Sequence, residues 1–204
     1  MIAVVDYGMG NLRSVAKALE HLGASVTVLS APAPAGTYSG IVLPGVGAFG
    51  DAVANLEEQG WDSWLRDAIS AGTPFLGICL GLQLLFTRSE EGGDVRGLNV
   101  IGGTVRRFPP SVIVPHMGWN QLRIARETPL LDGVKDGDFV YFVHSYRVVP
   151  EDALVAAAVS DYGGEFVSAV VKGNVWGVQF HPEKSQEVGL TILRNFIRTA
   201  ATEK

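Results

Sequence analysis

The sequence has only one cysteine, Cys79, so no disulfide can form within the chain. That suits a reducing compartment, and a cytoplasmic location is expected. Long apolar runs are also missing. Stretches such as Ala153 to Val159 are too short to cross a bilayer, so no membrane association is expected. The opening segment, Met1-Ile2-Ala3-Val4-Val5-Asp6, has no basic region and no cleavage pattern, and reads as a buried strand rather than a signal peptide. Positive charge is sparse: 16 Lys and Arg against 21 Asp and Glu leave a net charge of -5. With no long basic run, a nucleic-acid partner is not expected. The pair Arg106-Arg107 reads as a solvated strand end. No clustered His/Cys motif has metal-ligand spacing, so no metal site is expected. Repeats, low-complexity tracts and linkers are absent too.

What is present fits one folded domain over residues 1–204, with 47% hydrophobic and 18% charged residues. Strands are expected at Ile2–Val5, Ser25–Leu29, Ile41–Leu43 and Pro74–Ile78. Between them, Leu12, Val15, Ala18, Leu19 and Leu22 recur at helical spacing, and Gly23 follows where a helix cap would sit. Asp51–Ser70 reads as helical with a break at Gly60, and Leu80–Phe86 as the start of another helix. The second half is richer in strands, expected at 98–108, 119–124, 139–143, 154–159, 166–171 and 175–180, before a final helix over about 187–199. The fold class is therefore α/β: a single open, mostly parallel sheet covered by helices, with additional antiparallel strands.

The most informative segment is Gly77-Ile78-Cys79-Leu80-Gly81. A continuous apolar strand ends, a glycine-flanked residue follows, and a helix begins. This is the nucleophile-elbow pattern with cysteine in place of serine. A side chain at position 77 or 81 would clash in so sharp a turn. Cys79 would project from the C-terminal edge of the sheet, beside helix amides that favour the thiolate. Outside such a frame, a cysteine in an apolar run is usually a small buried hydrophobe.

A second candidate is Val175-Trp176-Gly177-Val178-Gln179-Phe180 running into His181-Pro182-Glu183. Residues two apart on an extended chain share a side, so His181 and Glu183 can lie together, the carboxylate accepting the Nδ1 proton. His21 reads as solvated. His116 and His144 could line a site or an interface, but neither has a carboxylate so placed.

These segments, with Leu43-Pro44-Gly45-Val46-Gly47, resemble the class I (triad-type) glutamine amidotransferases. Within that family, four further segments resemble the glutaminase subunits that serve a cyclase in histidine biosynthesis. They are Asp6-Tyr7-Gly8-Met9-Gly10-Asn11, Pro44 to Phe49, Pro115-His116-Met117-Gly118-Trp119-Asn120 and Tyr141-Phe142-Val143-His144-Ser145-Tyr146. The likeness spans essentially the whole chain. It implies L-glutamine as substrate, no metal or organic cofactor for the glutaminase step, and a heterodimer with a (β/α)8-barrel cyclase subunit that receives the ammonia. It implies Cys79 as nucleophile, His181 as acid and base, and Glu183 as its orienter. The amides of Val46 and Leu80 would form the oxyanion hole. Gly45, Gly47, Gln83, Glu91 and Ser145 would bind substrate, Glu91 at the α-amino group. Asn11, Trp119, Tyr141, His144 and Lys184 are expected on the partner-facing surface. Three other readings stay open from sequence: another synthase of the same class, a hydrolase acting alone, and a non-catalytic module on the same fold.

Overall fold

The computed structural model describes residues 1–34 and 36–202. Its strands are β1 (Ile2–Val5), β2 (Val26–Leu29), β3 (Gly40–Gly45), β4 (Phe75–Cys79), β5 (Phe86–Ser89), β6 (Val95–Arg96), β7 (Ile101–Arg107), β8 (His116–Gln121), β9 (Arg123–Ile124), β10 (Phe139–His144), β11 (Tyr146–Pro150), β12 (Ala156–Asp161), β13 (Glu165–Lys172) and β14 (Val175–Val178). The helices are α1 (Leu12–His21), α2 (Phe49–Glu58), α3 (Trp61–Ser70), α4 (Leu80–Leu84) and α5 (Gln186–Thr202).

The main sheet has eight strands in the order β2-β1-β3-β4-β14-β13-β12-β9. The first five are mutually parallel, and β13, β12 and β9 add antiparallel. This is the expected α/β class, a parallel sheet extended on one side. Alternation along each strand feeds two cores. Ile2, Val4, Leu76 and Ile78 face one core with Val15 and Leu19 of α1 and Ile192, Leu193 and Phe196 of α5. Ala3, Val5, Leu43 and Phe75 face the other with Phe49 and Leu56 of α2 and Trp61 and Leu65 of α3. Both faces of the sheet are covered, which is why these strands are continuous apolar runs. Burying each large side chain contributes roughly 1.5–3 kcal/mol. Among the described residues no helix is long and apolar enough to cross a membrane.

A β8–β10 ribbon and a four-stranded sheet, β11-β7-β5-β6, lie outside the main sheet. Here several boundaries differ from expectation. The helix expected over Leu80–Phe86 stops at Leu84, because Phe86–Ser89 pairs with β7 and β6. The strand expected from Leu98 begins only at Ile101, since Asn99 has φ 54° and turns the chain. The strand expected from Leu154 starts as a 3-10 turn, Ala153–Val155, which Asp152 caps by accepting from the Leu154 amide at 2.9 Å. The 119–124 run is split: β8 pairs with β10, and β9 with β12.

Candidate active site

Strand order builds the site. In β4, Cys79 pairs in register with Gly45 on one side, and Ile78 with Val178 on the other. The chain leaving β3 and the chain leaving β14 therefore both emerge beside Cys79. The elbow itself is a strained turn: Cys79 has φ 55° and ψ -108°, a backbone state that costs an L-residue about 1–3 kcal/mol. Its glycines are needed for close approach. A β-carbon on Gly81 would overlap the Leu43 carbonyl oxygen, and one on Gly77 would lie 2.6 Å from the Gly81 carbonyl oxygen. These contacts let β4 turn directly into α4.

After β14 the chain does not stay extended, as the sequence had suggested. Pro182–Lys184 forms a 3-10 turn that brings Glu183 back beneath His181. His181 Nδ1 lies 2.9 Å from Glu183 Oε1, with the two side chains only 2% and 1% exposed. The turn is stapled in place: Ser185 Oγ donates to the His181 carbonyl at 2.6 Å and accepts from the Tyr141 amide at 3.0 Å, while the His181 amide donates to the Tyr141 carbonyl at 2.9 Å. Donation from Nδ1 to the carboxylate leaves Nε2 on the side of the sulfur. Nε2 has no hydrogen bond of regular geometry, and its interaction with Cys79 is felt in its charge state instead. Burial alone would lower the His181 pKa, but Cys79 and Glu183 together outweigh it and raise the value to about 9. Cys79 and Glu183 thus both favour the charged form of the ring.

A cavity of about 410 Å³ opens on Cys79, within the usual range for small-molecule sites. It is lined by Val46, Gly47, Cys79, Leu80, Gln83, Glu91 and Ser145, all singled out in the sequence, together with Tyr146 and Val143. A groove of about 760 Å³ runs along residues 128–134 and Arg198, and its lining includes neither Cys79 nor His181. Glu91 also accepts the Phe49 amide at 2.9 Å, which anchors its carboxylate at the start of α2. Gly47 has φ 101°, and Val46 is 43% exposed, so the loop after β3 borders both cavity and surface.

The β8–β10 ribbon sorts the expected interface residues. Its register pairs Trp119 with Tyr141 and Met117 with Val143 on one face, and His116 with His144 on the other. Trp119 and Tyr141 meet edge-to-face at 5.9 Å, and Lys184 Nζ lies 6.0 Å from the Tyr141 ring centre. Met117 and Phe139 are exposed on the same ribbon, which sequence reading overlooked. His144 is a correction. Expected on the surface, it is 6% exposed, because period-two alternation turns it inward, away from Tyr141 and Val143. Asn11 reaches inward too: its amide donates to Glu183 Oε1 at 3.4 Å.

The buried histidines have definite tautomers. His144 Nδ1 lies 2.8 Å from the Tyr146 carbonyl and so must carry the proton. Its Nε2 is then the acceptor for His116 Nδ1, 3.0 Å away. Burial lowers both pKa values, to about 4 for His116 and about 3 for His144, the latter also through His116 and His181. Groups whose folded pKa is depressed below about 6.5 destabilise the fold as pH falls, since the unfolded chain takes up the protons first. His181, raised to about 9, acts oppositely: its contribution is complete below about 6.5 and is lost as pH rises to 9. Calorimetric unfolding from pH 4 to 9 should therefore show a thermal midpoint highest near pH 6.5, falling on both sides. A midpoint that keeps rising down to pH 4 would show that the histidine pair is not held neutral.

The glutamine amidotransferase class-I family matches residues 3–200, and the chain belongs to that family. The chain is 56% identical to the imidazole glycerol phosphate synthase subunit HisH of Aquifex aeolicus, over 97% of this chain and 96% of the relative. It is 55% identical to the HisH subunit of Archaeoglobus fulgidus, over 97% and 98%. Among solved structures, PurLQS from Thermotoga maritima superposes with a TM-score of 0.76 at 21% identity, covering 98% of this chain and 96% of that one. At that identity the match speaks for the fold alone.

Proposed function

We propose that this chain is the glutaminase subunit of imidazole glycerol phosphate synthase, hydrolysing L-glutamine and passing the ammonia to a cytoplasmic (β/α)8-barrel cyclase subunit. The observation that carries the chemistry is Cys79 lining the 410 Å³ cavity with the buried His181–Glu183 pair behind it. In this reading the Cys79 sulfur attacks the side-chain amide carbon of glutamine. The oxyanion that develops is met by the amides of Leu80 and Val46. His181 gives its proton to the amide nitrogen, the C–N bond breaks to release ammonia and leave a thioester, and the ring then takes a proton from the water that cleaves the thioester to glutamate. Glu183 holds His181 in position throughout. Gly45, Gly47, Gln83, Glu91 and Ser145 shape the substrate site. The outer ribbon face, with Trp119 and Tyr141, and the neighbouring Lys184 form the partner side. The cyclase would combine the ammonia with a ribulosyl nucleotide to give imidazole glycerol phosphate.

Glutamine spent without an acceptor is wasted, so the lone subunit should be nearly latent. The Gly45–Val46 peptide is where control would act. With glycine on both sides of Val46, the peptide turns easily, and in one orientation a carbonyl rather than an amide faces the oxyanion. Loss of one such donor costs on the order of a hundredfold in rate. Glutamate release should rise in two steps, on adding the cyclase and then a nucleotide ligand of the cyclase, by about a hundredfold or more in all. Full activity from the lone chain would favour a hydrolase acting independently.

A further inference from the structure

One buried side chain at the site has no role so far. Gln179 is completely buried, a polar residue in the interior between β14 and His181. Its Nε2 lies 3.7 Å from the Cys79 sulfur, and its Oε1 accepts from Gln83 Nε2 at 3.1 Å. Gln83 Nε2 also donates to the Tyr146 carbonyl at 3.2 Å. These contacts fix which way both amides point. A carbonyl can only accept, so the Gln83 end facing Tyr146 must be the NH2 group. The Gln179 atom facing that NH2 group must then be oxygen, and the end facing Cys79 must be a donor. The orientation follows from the backbone of β11 and needs no assumption about the sulfur.

We infer that Gln179 is a positioning residue for Cys79, donating to its sulfur and being oriented for this by Gln83 and the Tyr146 carbonyl. This rests on Cys79 being the nucleophile. As a thiol the sulfur donates to the Val143 carbonyl, 3.9 Å away, and the thiolate loses that contact and with it a restraint on rotation about its side-chain bond. A fixed donor limits that rotation and stabilises negative charge on the attacking atom. It also gives Gln83 a task at the nucleophile in addition to lining the substrate cavity.

Because Cys79 is the only cysteine, iodoacetamide labelling of the full chain reads its reactivity directly and without glutamine. Gln179→Met keeps the volume and leaves Gln83 its Tyr146 partner. It should slow alkylation of Cys79 at pH 7.5 about tenfold, the size of one lost hydrogen bond. In the complex with cyclase, kcat should fall by at least as much while KM stays within about twofold of the parent value. Gln83→Met should slow alkylation in the same direction by a smaller factor, and it carries the test if Gln179→Met does not fold. Parent-like alkylation and kcat in Gln179→Met would overturn the inference and leave Gln179 as core filling. A Gln83→Met chain that alkylates normally and changes only KM would overturn the orienting arm. Failure of the nucleophile assignment itself would look different: glutamate release would survive alkylation of Cys79.

Discussion

Cys79→Ala should release no measurable glutamate from glutamine, a loss on the order of a millionfold, as when a triad nucleophile is removed. The complex with cyclase should still form product when supplied with ammonium, because the amide-cleaving step alone is missing. Folding should survive. Cys79 is 6% exposed and contributes a small side chain to the core, so its truncation removes few contacts. The strained backbone at φ 55° is no worse for alanine. The elbow would then still be present without its sulfur. Glutamate release under enzyme-saturating glutamine is the decisive measurement, with thermal unfolding as the folding control. A Cys79→Ala complex that hydrolyses glutamine at the parent rate would remove the assignment, and with it the reading of His181 and Glu183 as partners.

The centre of this site was legible in the sequence because its chemistry is local. Gly77 and Gly81 frame Cys79 within five residues, and the steric reason for glycine there is the short reach of an elbow. His181 and Glu183 are two apart, so only the local turn decides whether they meet, and the 3-10 turn that follows His181 brings them to 2.9 Å where an extended chain was expected. The parallel strands were legible because burial on both faces removes polar interruptions. What escaped depends on pairing across long separations. Phe86–Ser89 becomes a strand only because β7 and β6 lie alongside. His144 turns inward because β10 pairs in one register with β8 and not in the alternative one residue away. Gln179 looked like a strand residue before a histidine. Its place at the sulfur is set by β14 lying beside β4, a contact about 100 residues apart in sequence.

Glu183→Gln should lower kcat by about 10²–10⁴-fold, and His181→Ala by clearly more. The difference follows from what each change leaves behind. Glu183 Oε1 accepts from His181 Nδ1 at 2.9 Å and from the Asn11 amide at 3.4 Å, while Oε2 is buried without a partner. Glutamine can keep an oxygen at the first position, so the ring stays in place. Its NH2 group would occupy the buried second position, where no acceptor waits. The larger loss is the negative charge. Burial by itself lowers the His181 pKa, and Glu183 is one of the two groups that hold it up at about 9. Without the carboxylate, the imidazolium needed to protonate the leaving amide nitrogen becomes harder to form. His181→Ala removes the proton carrier altogether. Proton NMR titration of His181 should show its pKa falling below about 9 in Glu183→Gln, and the acidic range of glutaminase activity should extend less far toward alkaline pH. Equal kcat losses in the two variants, or an unchanged His181 titration, would mean that Glu183 does more than orient and polarise the base, or nothing at all.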